Sequence, residues 1–262
     1  MKSNPSFDTI IVLYNSDLSS VKSLDSLIKH PSVNQILICD NSDDGQNHLV
    51  MLDDLDCIKT FNMHGNAGIS RAYNFAISKC SADYVLILDD DTELSSDFFS
   101  KVSDHIRQED FDVYMPLVWS ESILMSPCRK KGRRFVALDD HLNFENMTVS
   151  GINSGLVIKR SVFNSVAYRE ELFLDMVDHA FFDDVRAQQF RIKVMTDVSL
   201  LQDYSRETDN FETAKSRFGI SKRDNRVYFG SCFSDRLFCE AQLFYWKLKK
   251  AIKFKRLSVL AW

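Results

Sequence analysis

Three carboxylates stand side by side at Asp89, Asp90 and Asp91, directly after the apolar run 84–88. Adjacent carboxylates repel one another unless a cation or a set of hydrogen-bond donors compensates their charge. A hard divalent cation such as Mg²⁺ or Mn²⁺ takes carboxylate oxygens as ligands and completes its coordination with water and phosphate oxygens. The triple therefore predicts a clamp for a metal-bound diphosphate. The alternative, a turn built from residues that simply favour strand ends, is the weaker interpretation.

Two other apolar runs also end in polar residues. Run 9–14 precedes Asn15, and run 33–39 precedes Asp40 and Asn41. In an open parallel sheet, ligands bind at the carboxyl ends of the strands. The strand ends together predict one polar site along one edge of a sheet, although for Asn15 alone a turn is an equally good interpretation.

The elements that would position these residues alternate between short apolar strands and helices. In the first part of the chain we predict strands at 9–14, 33–39, 57–62 and 84–88, with helices at 19–29 and 69–80. Beyond residue 95 we predict helices at 96–108, 178–189 and 235–256, strands at 112–118, 152–159 and 191–196, and a basic loop at 128–134. This order predicts an α/β fold with a mostly parallel central sheet flanked by helices. We expect one domain over 1–200 and a C-terminal helical extension over 201–262.

Composition narrows the class of protein. The 262 residues carry 32 Lys and Arg against 37 Asp and Glu, and the net charge of −5 argues against a nucleic-acid partner. The six cysteines form no CxxC pair, which argues against a zinc site and favours a reducing, cytoplasmic environment. No apolar run approaches the roughly 18 residues of a membrane span, and the first apolar run is too short for a signal peptide. The sequence also lacks a P-loop, a GxGxxG after a strand and an HExxH motif.

Six motifs, in this order and spacing, resemble those of the family 2 inverting glycosyltransferases of GT-A type. Within that family the chain is most similar to the bacterial rhamnosyltransferase and galactofuranosyltransferase-like group. The motifs are IIVLYN at 10–15, CDNSD at 39–43, NAGISRAYN at 66–74, LILDDDT at 86–92, SGINSGLVI at 150–158 and ELFLDMVDHAFF at 171–182. The resemblance covers about 8–200 and implies a nucleotide-sugar half over 1–95 and an acceptor half over 96–200.

The resemblance assigns residues to a donor site for a nucleotide-diphospho-sugar. They are Tyr14, Asn15, Asp40, Asn66, Gly68, Arg71, Asn74, Asp89 and Asp90. Asp89 and Asp91 match the ends of the DxD motif, so they are expected to handle the ribose and the diphosphate bound to Mg²⁺ or Mn²⁺. In physical terms, Gly68 would let the backbone approach a ligand closely, and a helix beginning near Ile69 would offer amide donors to phosphate.

The resemblance also implies where the chemistry occurs. Asp178 matches the family's catalytic base, and the alternative role is the N-cap of helix 178–189. The acceptor would lie against Ser154, Gly155 and Asp175. The basic loop 128–134 would reach the diphosphate or an anionic acceptor, or would be a solvated surface loop.

Two departures from the family pattern concern the region after Asp178. An Arg is often found shortly after the base, where this chain has Asp184, with Arg186 two residues further on. A metal-ligating His is often found later, and the corresponding segment here holds Asp197, Gln202 and Asp203. Water or Asp203 would then complete the metal site, or the metal would bind more weakly. Asp183 and Asp184 are expected to form a solvated helix face.

The resulting expectation is an enzyme that transfers a sugar from a dTDP- or UDP-sugar to a glycan or lipid-linked acceptor, with inversion. The pathway would be bacterial cell-surface polysaccharide synthesis. The alternative, supported by the two departures, is a non-catalytic GT-A-like protein that binds a partner in a glycan-assembly complex.

The end of the chain carries a possible membrane signal. Residues 247–256 hold six basic side chains and no acidic one, and aromatic residues precede them. This composition is typical of an interfacial helix on anionic lipid, which would place the protein peripherally on the inner face of the cell membrane. Alternatively, residues 235–252 pack on the catalytic domain or on a second subunit of a homo-oligomer while their lysines stay solvated.

Overall fold

A computed structural model describes most of the chain. The described residues are 4–43, 56–138, 144, 148–202 and 210–262. The strands are β1 (Phe7–Leu13), β2 (Val33–Asp40), β3 (Ile58–Asn62), β4 (Tyr84–Leu88), β5 (Thr92–Glu93), β6 (Val113–Ser120), β7 (Ile123–Ser126), β8 (Cys128–Lys131), β9 (Arg134–Val136), β10 (Val149–Ser150), β11 (Val157–Lys159) and β12 (Ile192–Gln202). The helices are α1 (Leu24–Ile28), α2 (Ile69–Ile77), α3 (Phe98–Gln108), α4 (Val177–Ala187), α5 (Phe211–Tyr228) and α6 (Phe233–Phe254).

The central sheet has the order β3-β2-β1-β4-β11-β6-β12-β5, with β7 paired to β6. The first four strands in that order are parallel to one another, as predicted. β11 runs antiparallel to both of its neighbours, so the second half of the sheet is mixed. A small antiparallel sheet of order β10-β8-β9 stands apart from the central one.

Both faces of the central sheet are covered. Alternate residues of a strand point to opposite faces, and one face of β1 contributes Ile11 and Leu13 to a core that includes α3. The other face contributes Ile10 to a core that includes α2 and α4. Strands buried on both sides explain why β1, β2 and β4 appear as continuous apolar runs in the sequence.

The register brings the polar strand ends together. Leu13 at the end of β1 pairs with Asp40 of β2, and Ile11 of β1 pairs with Leu88 at the end of β4. The residues that follow β1, β2 and β4 therefore share one edge of the sheet, which confirms the edge predicted from the sequence.

Three predicted elements differ from the structure. The predicted helix 19–29 is a 3₁₀ turn (Leu18–Ser20) followed by the short α1, because the backbone N–H of Lys22 donates to the carbonyl of Asp90 instead of to a preceding helical turn. The predicted basic loop 128–134 belongs to the β8–β9 hairpin, which turns at Gly132 with φ +60°. The predicted strand 152–159 shortens to β11.

Helix α5 was not predicted at all. Its described buried residues are Ala214, Phe218, Asp224 and Asn225, and two of these four are polar. A helix whose inward face is half polar gives only a weak apolar stripe in the sequence. Helix α6 agrees with the predicted helix 235–256. No helix among the described residues is both long and apolar enough to cross a membrane.

Candidate active site

Asp89 follows β4 directly and is held on two sides. Its Oδ2 accepts a hydrogen bond from Nε2 of Gln202 at 2.8 Å, and its backbone N–H donates to Oγ of Ser154 at 3.4 Å. Ser154 is fully buried, and its hydroxyl also lies 2.6 Å from Oγ1 of Thr92. Ser154 is therefore a buried residue that fixes the acidic turn, residues 89–91. This role differs from the acceptor contact expected for it.

Asp90 and Asp91 differ in their hydrogen bonds. Oδ2 of Asp90 accepts a hydrogen bond from Oγ of Ser16 at 2.8 Å, which ties the acidic turn to the loop after β1. Oδ1 of Asp91 is a buried atom with no hydrogen-bond partner. Asp90 thus has a hydrogen-bond partner within the protein, whereas Oδ1 of Asp91 can bind a ligand.

The electrostatics of the turn favour a cation. Burial, and then the charge of Asp91, raise the pKa of Asp89 to about 6, against a hydrogen bond from Gln202 that lowers it. Burial also raises the pKa of Asp91. An unpaired carboxylate oxygen beside a second carboxylate fits Mg²⁺ or Mn²⁺. Since the described residues hold no cluster of three or more His, Cys, Asp or Glu, a bound ligand and water would have to supply the other metal ligands.

Gln202 lies in the segment where a metal-ligating His would be sought from the family resemblance. Its position at the end of β12, paired with Thr92 of β5, brings its amide to Asp89. The sequence offers no signal for this role beyond the spacing from Asp178. Asp203, expected as an alternative ligand, lies outside the described residues.

The ends of β1 and β2 form the neighbouring part of the edge. Asp40 is buried, and its Oδ1 accepts a hydrogen bond from the backbone N–H of Ser42 at 3.0 Å. Oγ of Ser42 in turn accepts from the backbone N–H of Asn15 at 2.8 Å, where Asn15 has φ +51°. The ring of Tyr14 is half exposed beside them. Tyr14, Asn15 and Asp40 are therefore brought together as predicted.

Asn66 joins the same edge through Asn41. Nδ2 of Asn41 donates to Oδ1 of Asn66 at 3.1 Å, and Oδ1 of Asn41 accepts from the backbone N–H of Ala67 at 2.8 Å. A cavity of about 320 Å³, which we call the donor cavity, opens between this edge and helix α5. Its lining residues include Tyr14, Asn41, Asn66, Phe173, Thr213 and Arg217.

Gly68 and the start of α2 have a structural role that the sequence did not indicate. A Cβ on Gly68, which has φ +87°, would lie 2.7 Å from the ring of Phe173. The backbone N–H of Ile69 donates to the carbonyl of Phe173 at 2.8 Å. The close approach expected for a ligand is thus made by the protein itself, and the amide of Ile69 is not available to a phosphate.

Asn74 and Arg71 also face away from the donor cavity. The amide of Asn74 donates to the carbonyl of Tyr168 at 2.8 Å and accepts from its backbone N–H at 2.9 Å. Arg71 is exposed and lies 3.6 Å from Glu170. Asn74 fixes the segment before α4, so the donor role expected for these two residues has no support in the geometry.

Asp178 lies in the first turn of α4. The helix has Met176 as its N-cap, with φ +64°, so the N-cap role considered for Asp178 is wrong. Oδ1 of Asp178 accepts a hydrogen bond from Nδ2 of Asn153 at 2.5 Å, and Oδ1 of Asn153 accepts from the hydroxyl of Tyr168 at 3.0 Å. The hydroxyl of Tyr168 therefore fixes the Asn153 amide with its nitrogen toward the carboxylate.

The surroundings of Asp178 favour its protonated form. Burial, and then the charge of Asp89, raise its pKa to about 8, while the hydrogen bond from Asn153 acts in the opposite direction. A buried carboxyl whose pKa is raised by burial and by a neighbouring carboxylate is typical of a functional site. Asn153 was overlooked in the sequence although it lies inside a quoted motif.

The segment before α4 is fastened by helix α5. The buried carboxylate of Asp224 accepts hydrogen bonds from the backbone N–H groups of Phe173, Leu174 and Asp175, at 3.1, 2.8 and 2.9 Å. The side chain of Asp175 pairs with Arg217 of α5 at 2.8 Å. Asp175, expected at the acceptor, is therefore an ion-pair partner of α5. The sequence signal for Asp224 would have been a charged residue on the inward face of a helix.

The acidic residues later in α4 are not a solvated face, contrary to the sequence analysis. Asp183 lies 2.5 Å from Nζ of Lys130 and 2.6 Å from Arg186. Burial would raise the pKa of Asp183, but the hydrogen bonds from Lys130 and Tyr228 hold it below its usual value. Asp184 pairs with Arg169 at 2.6 Å. Lys130 thus anchors the hairpin to α4, and the basic segment is only partly free for a ligand.

Gly155 likewise serves packing. It has φ +80°, and a Cβ there would lie 2.3 Å from Cδ1 of Leu200 in β12. Its backbone N–H donates to the carbonyl of Ile87 in β4 at 2.7 Å. The absence of a side chain lets the segment before β11 lie against two strands, which explains this glycine without an acceptor.

Comparisons with known proteins identify the family and agree with the fold. The family model described as Glycosyl transferase family 2 matches residues 8–164. A structure of GalNAc-T7 with UDP, GalNAc and Mn²⁺ superposes with a TM-score of 0.61 at 14% identity, covering 78% of this chain and 45% of that one. S. aureus TarS 1–349 with UDP-GlcNAc superposes with a TM-score of 0.58 at 14% identity, covering 95% of this chain and 73% of that one. The chain thus spans less than half the length of GalNAc-T7, and at these identities the likeness shows a GT-A fold. A search of curated proteins finds no match.

Proposed function

Since this chain belongs to glycosyl transferase family 2 and is a glycosyltransferase, we propose that it moves a sugar from a dTDP- or UDP-linked donor to an acceptor hydroxyl with inversion. The observation that carries the proposal is the buried carboxyl of Asp178, which accepts a hydrogen bond from the amide of Asn153 and whose pKa is raised by burial and by the charge of Asp89. The acceptor we propose is a glycan or a lipid-linked glycan of bacterial cell-surface polysaccharide synthesis.

Asp178 is proposed as the general base. As the acceptor oxygen attacks the anomeric carbon, the carboxylate takes the hydroxyl proton, the anomeric C–O bond of the donor breaks, and the nucleoside diphosphate leaves. Asn153 holds Oδ1 of this carboxylate. A base with a pKa near the working pH combines a useful fraction of the ionised form with a strong tendency to accept the proton.

The donor is proposed to lie along the strand ends. Tyr14 and Asn66 line the donor cavity, where the base and ribose would bind. Asn15 and Asp40 lie at the same strand ends, and Asp89 and Asp91 would hold the diphosphate. Mg²⁺ or Mn²⁺, when bound by these two carboxylates, would stabilise the negative charge of the leaving diphosphate. The likeness to GalNAc-T7 with Mn²⁺ and to TarS with UDP-GlcNAc supports a metal-dependent nucleotide-sugar site of this kind.

Replacing the base tests the assignment directly. The Asp178→Asn protein is expected to fold and to bind UDP with Mn²⁺ as the wild type does, while kcat for sugar transfer falls by about 10²–10⁴-fold because only proton transfer is removed. The matched control is Asp184→Asn in the same helix, which loses an ion pair with Arg169. Near-normal turnover of Asp178→Asn would exclude Asp178 as the base.

Donor hydrolysis distinguishes the enzyme from a non-catalytic binding protein of the same fold. The wild-type protein is incubated with a panel of dTDP- and UDP-sugars, with Mn²⁺ and with EDTA, and release of the nucleoside diphosphate is measured. We expect metal-dependent release from one donor class. Absence of release and of transfer across the panel under both conditions would contradict the proposed function.

A further inference from the structure

Helix α5 forms one wall of the donor cavity. Four of its residues line the cavity, and their three- and four-residue spacing places them on one face of the helix: Thr213, Ser216, Arg217 and Ile220. The residues that α5 packs into the core, such as Ala214 and Phe218, lie on another face. The family model ends at residue 164, so this wall comes from a part of the chain that the family match does not include.

Arg217 carries the one charged side chain among the described residues that line the donor cavity. This side chain is 45% exposed, so a ligand in the cavity can reach it. A guanidinium presents its N–H groups in a planar fork that matches two oxygens of a phosphate, and hydrogen bonds between such charged groups are strong. The wall formed by α5 therefore favours an anionic group, and phosphate in particular.

The partner that Arg217 has in the described chain leaves most of its donors unused. Its Nη2 donates to Oδ1 of Asp175 at 2.8 Å, whereas a guanidinium has five N–H groups. An ion pair between partly exposed side chains is weak, and a diphosphate carries more negative charge than a carboxylate. The backbone N–H of Asp175 donates to the buried Asp224 at 2.9 Å, so the segment stays anchored if the two side chains part.

We propose that Arg217 binds the diphosphate of the donor nucleotide and exchanges Asp175 for it when the donor enters the cavity. The positive charge of Arg217 would add to that of the metal ion proposed at Asp89 and Asp91, and both would offset the charge of the diphosphate. This inference rests on the proposed function, and it assigns a donor-binding residue to a helix that follows the family match.

Titration with nucleotides tests the inference. UDP and dTDP are titrated into the full chain with Mn²⁺ by calorimetry, and the nucleoside of the tighter ligand is measured by ligand-observed NMR. We expect Arg217→Gln to weaken the diphosphate by about 10- to 100-fold, because hydrogen bonds to charged groups are lost, and to leave the nucleoside unchanged. Arg217→Lys keeps the charge without the fork, so its affinity for the diphosphate should be intermediate.

A matched control lies on the same helix. Arg226 pairs with Glu240 at 2.7 Å and does not line the donor cavity. Arg226→Gln therefore makes the same change of charge and also breaks an ion pair, but it should bind the diphosphate as the wild type does. Unchanged nucleoside binding in the Arg217 variants shows that the cavity is intact, and Arg217→Lys serves as the second probe if Arg217→Gln does not fold.

The exchange itself is tested at Asp175. Asp175→Asn removes the carboxylate that competes for Arg217, so we expect the diphosphate to bind about two- to fivefold more tightly than to the wild type. The double variant Arg217→Gln with Asp175→Asn should bind the diphosphate as Arg217→Gln alone does, because the competition requires the guanidinium.

The outcomes separate this inference from the proposed function. Wild-type affinity for the diphosphate in the Arg217 variants, an equal loss for diphosphate and nucleoside, or binding of neither nucleotide to the wild type would overturn Arg217 as a diphosphate ligand. An equal effect of Asp175→Asn with and without Arg217 would show simple charge repulsion and overturn the exchange. Absence of donor hydrolysis, with diphosphate binding retained, would contradict the proposed function and leave this inference standing.

Discussion

At Asp178, the requirements of catalysis and of folding act in opposite directions. A carboxylate that must be ionised to accept a proton is placed where burial and Asp89 favour its neutral form. The folded pKa of about 8 lies above the value of about 3.9 in an unfolded chain, so the folded state holds this proton over a pH range in which the unfolded state has lost it. The contribution of protonated Asp178 to the free energy of unfolding is therefore largest below about pH 4, and it decreases as the pH rises toward 8.

The Asp178→Asn variant, which lacks this titration, should therefore become more stable than the wild type as the pH rises. Its melting temperature, measured in EDTA, is expected to equal that of the wild type near pH 4 and to exceed it increasingly up to pH 8. For a protein of this size, each kcal/mol corresponds to about 2–4 °C. A gap between the two proteins that is constant with pH would show that Asp178 titrates normally in the folded state.

The sequence singled out candidate residues most clearly where a motif fixed their type, and the roles of these candidates stay predictions. Asp89, Asp91 and Asp178 follow from such motifs, and the structure brings Asp89 and Asp178 close enough to interact. Asn153 and Gln202 bond to those carboxylates from other segments, and nothing in their local sequence indicates this. Asn74 fitted the motif yet bonds to the backbone of Tyr168, because an amide can satisfy a backbone segment as readily as a ligand.

At the scale of elements, the parallel half of the sheet was predictable and helix α5 was not. Strands buried on both faces are continuous apolar runs, so β1, β2 and β4 were found to within two residues. Helix α5 carries Asp224 on its inward face, which weakens the apolar periodicity from which helices are predicted. That same residue connects α5 to the segment before the base, so the helix that escaped prediction is one that supports the site.

Removing the Asp224 carboxylate should affect both stability and catalysis. Asp224→Ala leaves three backbone N–H groups of the 173–175 segment without their acceptor, and we expect a loss of about 2–4 kcal/mol in the free energy of unfolding, measured in urea. Asp224→Asn keeps one carbonyl oxygen and should lose less. In variants that remain folded, kcat should fall and the Kd for UDP should rise, because Phe173 and Leu174 also line the donor cavity. Wild-type kcat in a folded Asp224→Ala protein would refute a positioning role.

At the scale of the whole molecule, charge and apolar exposure are unevenly distributed. The net charge is −5, yet residues 247–256 hold six basic side chains. On the same helix and just after it, large apolar side chains face solvent, with Ile252 78% exposed and Leu257 82% exposed. Helix α6 also packs inward through Cys239 and Leu243, so it both covers a small core and presents an amphipathic surface.

We therefore expect the protein to bind anionic membranes reversibly through α6. Each exposed lysine near such a surface contributes about 1 kcal/mol, so the triple change of Lys249, Lys253 and Lys255 to Gln should weaken binding to vesicles of anionic lipid by on the order of 100-fold. The matched control changes the exposed Lys29, Lys59 and Lys79, which are remote in sequence from α6, to Gln. This triple variant should bind the vesicles as the wild type does. Co-sedimentation in low and high salt measures the effect, since screening weakens an electrostatic attachment. Wild-type sedimentation of the α6 triple variant, or equal binding to neutral vesicles, would refute this surface and leave packing on a second subunit as the role of the helix.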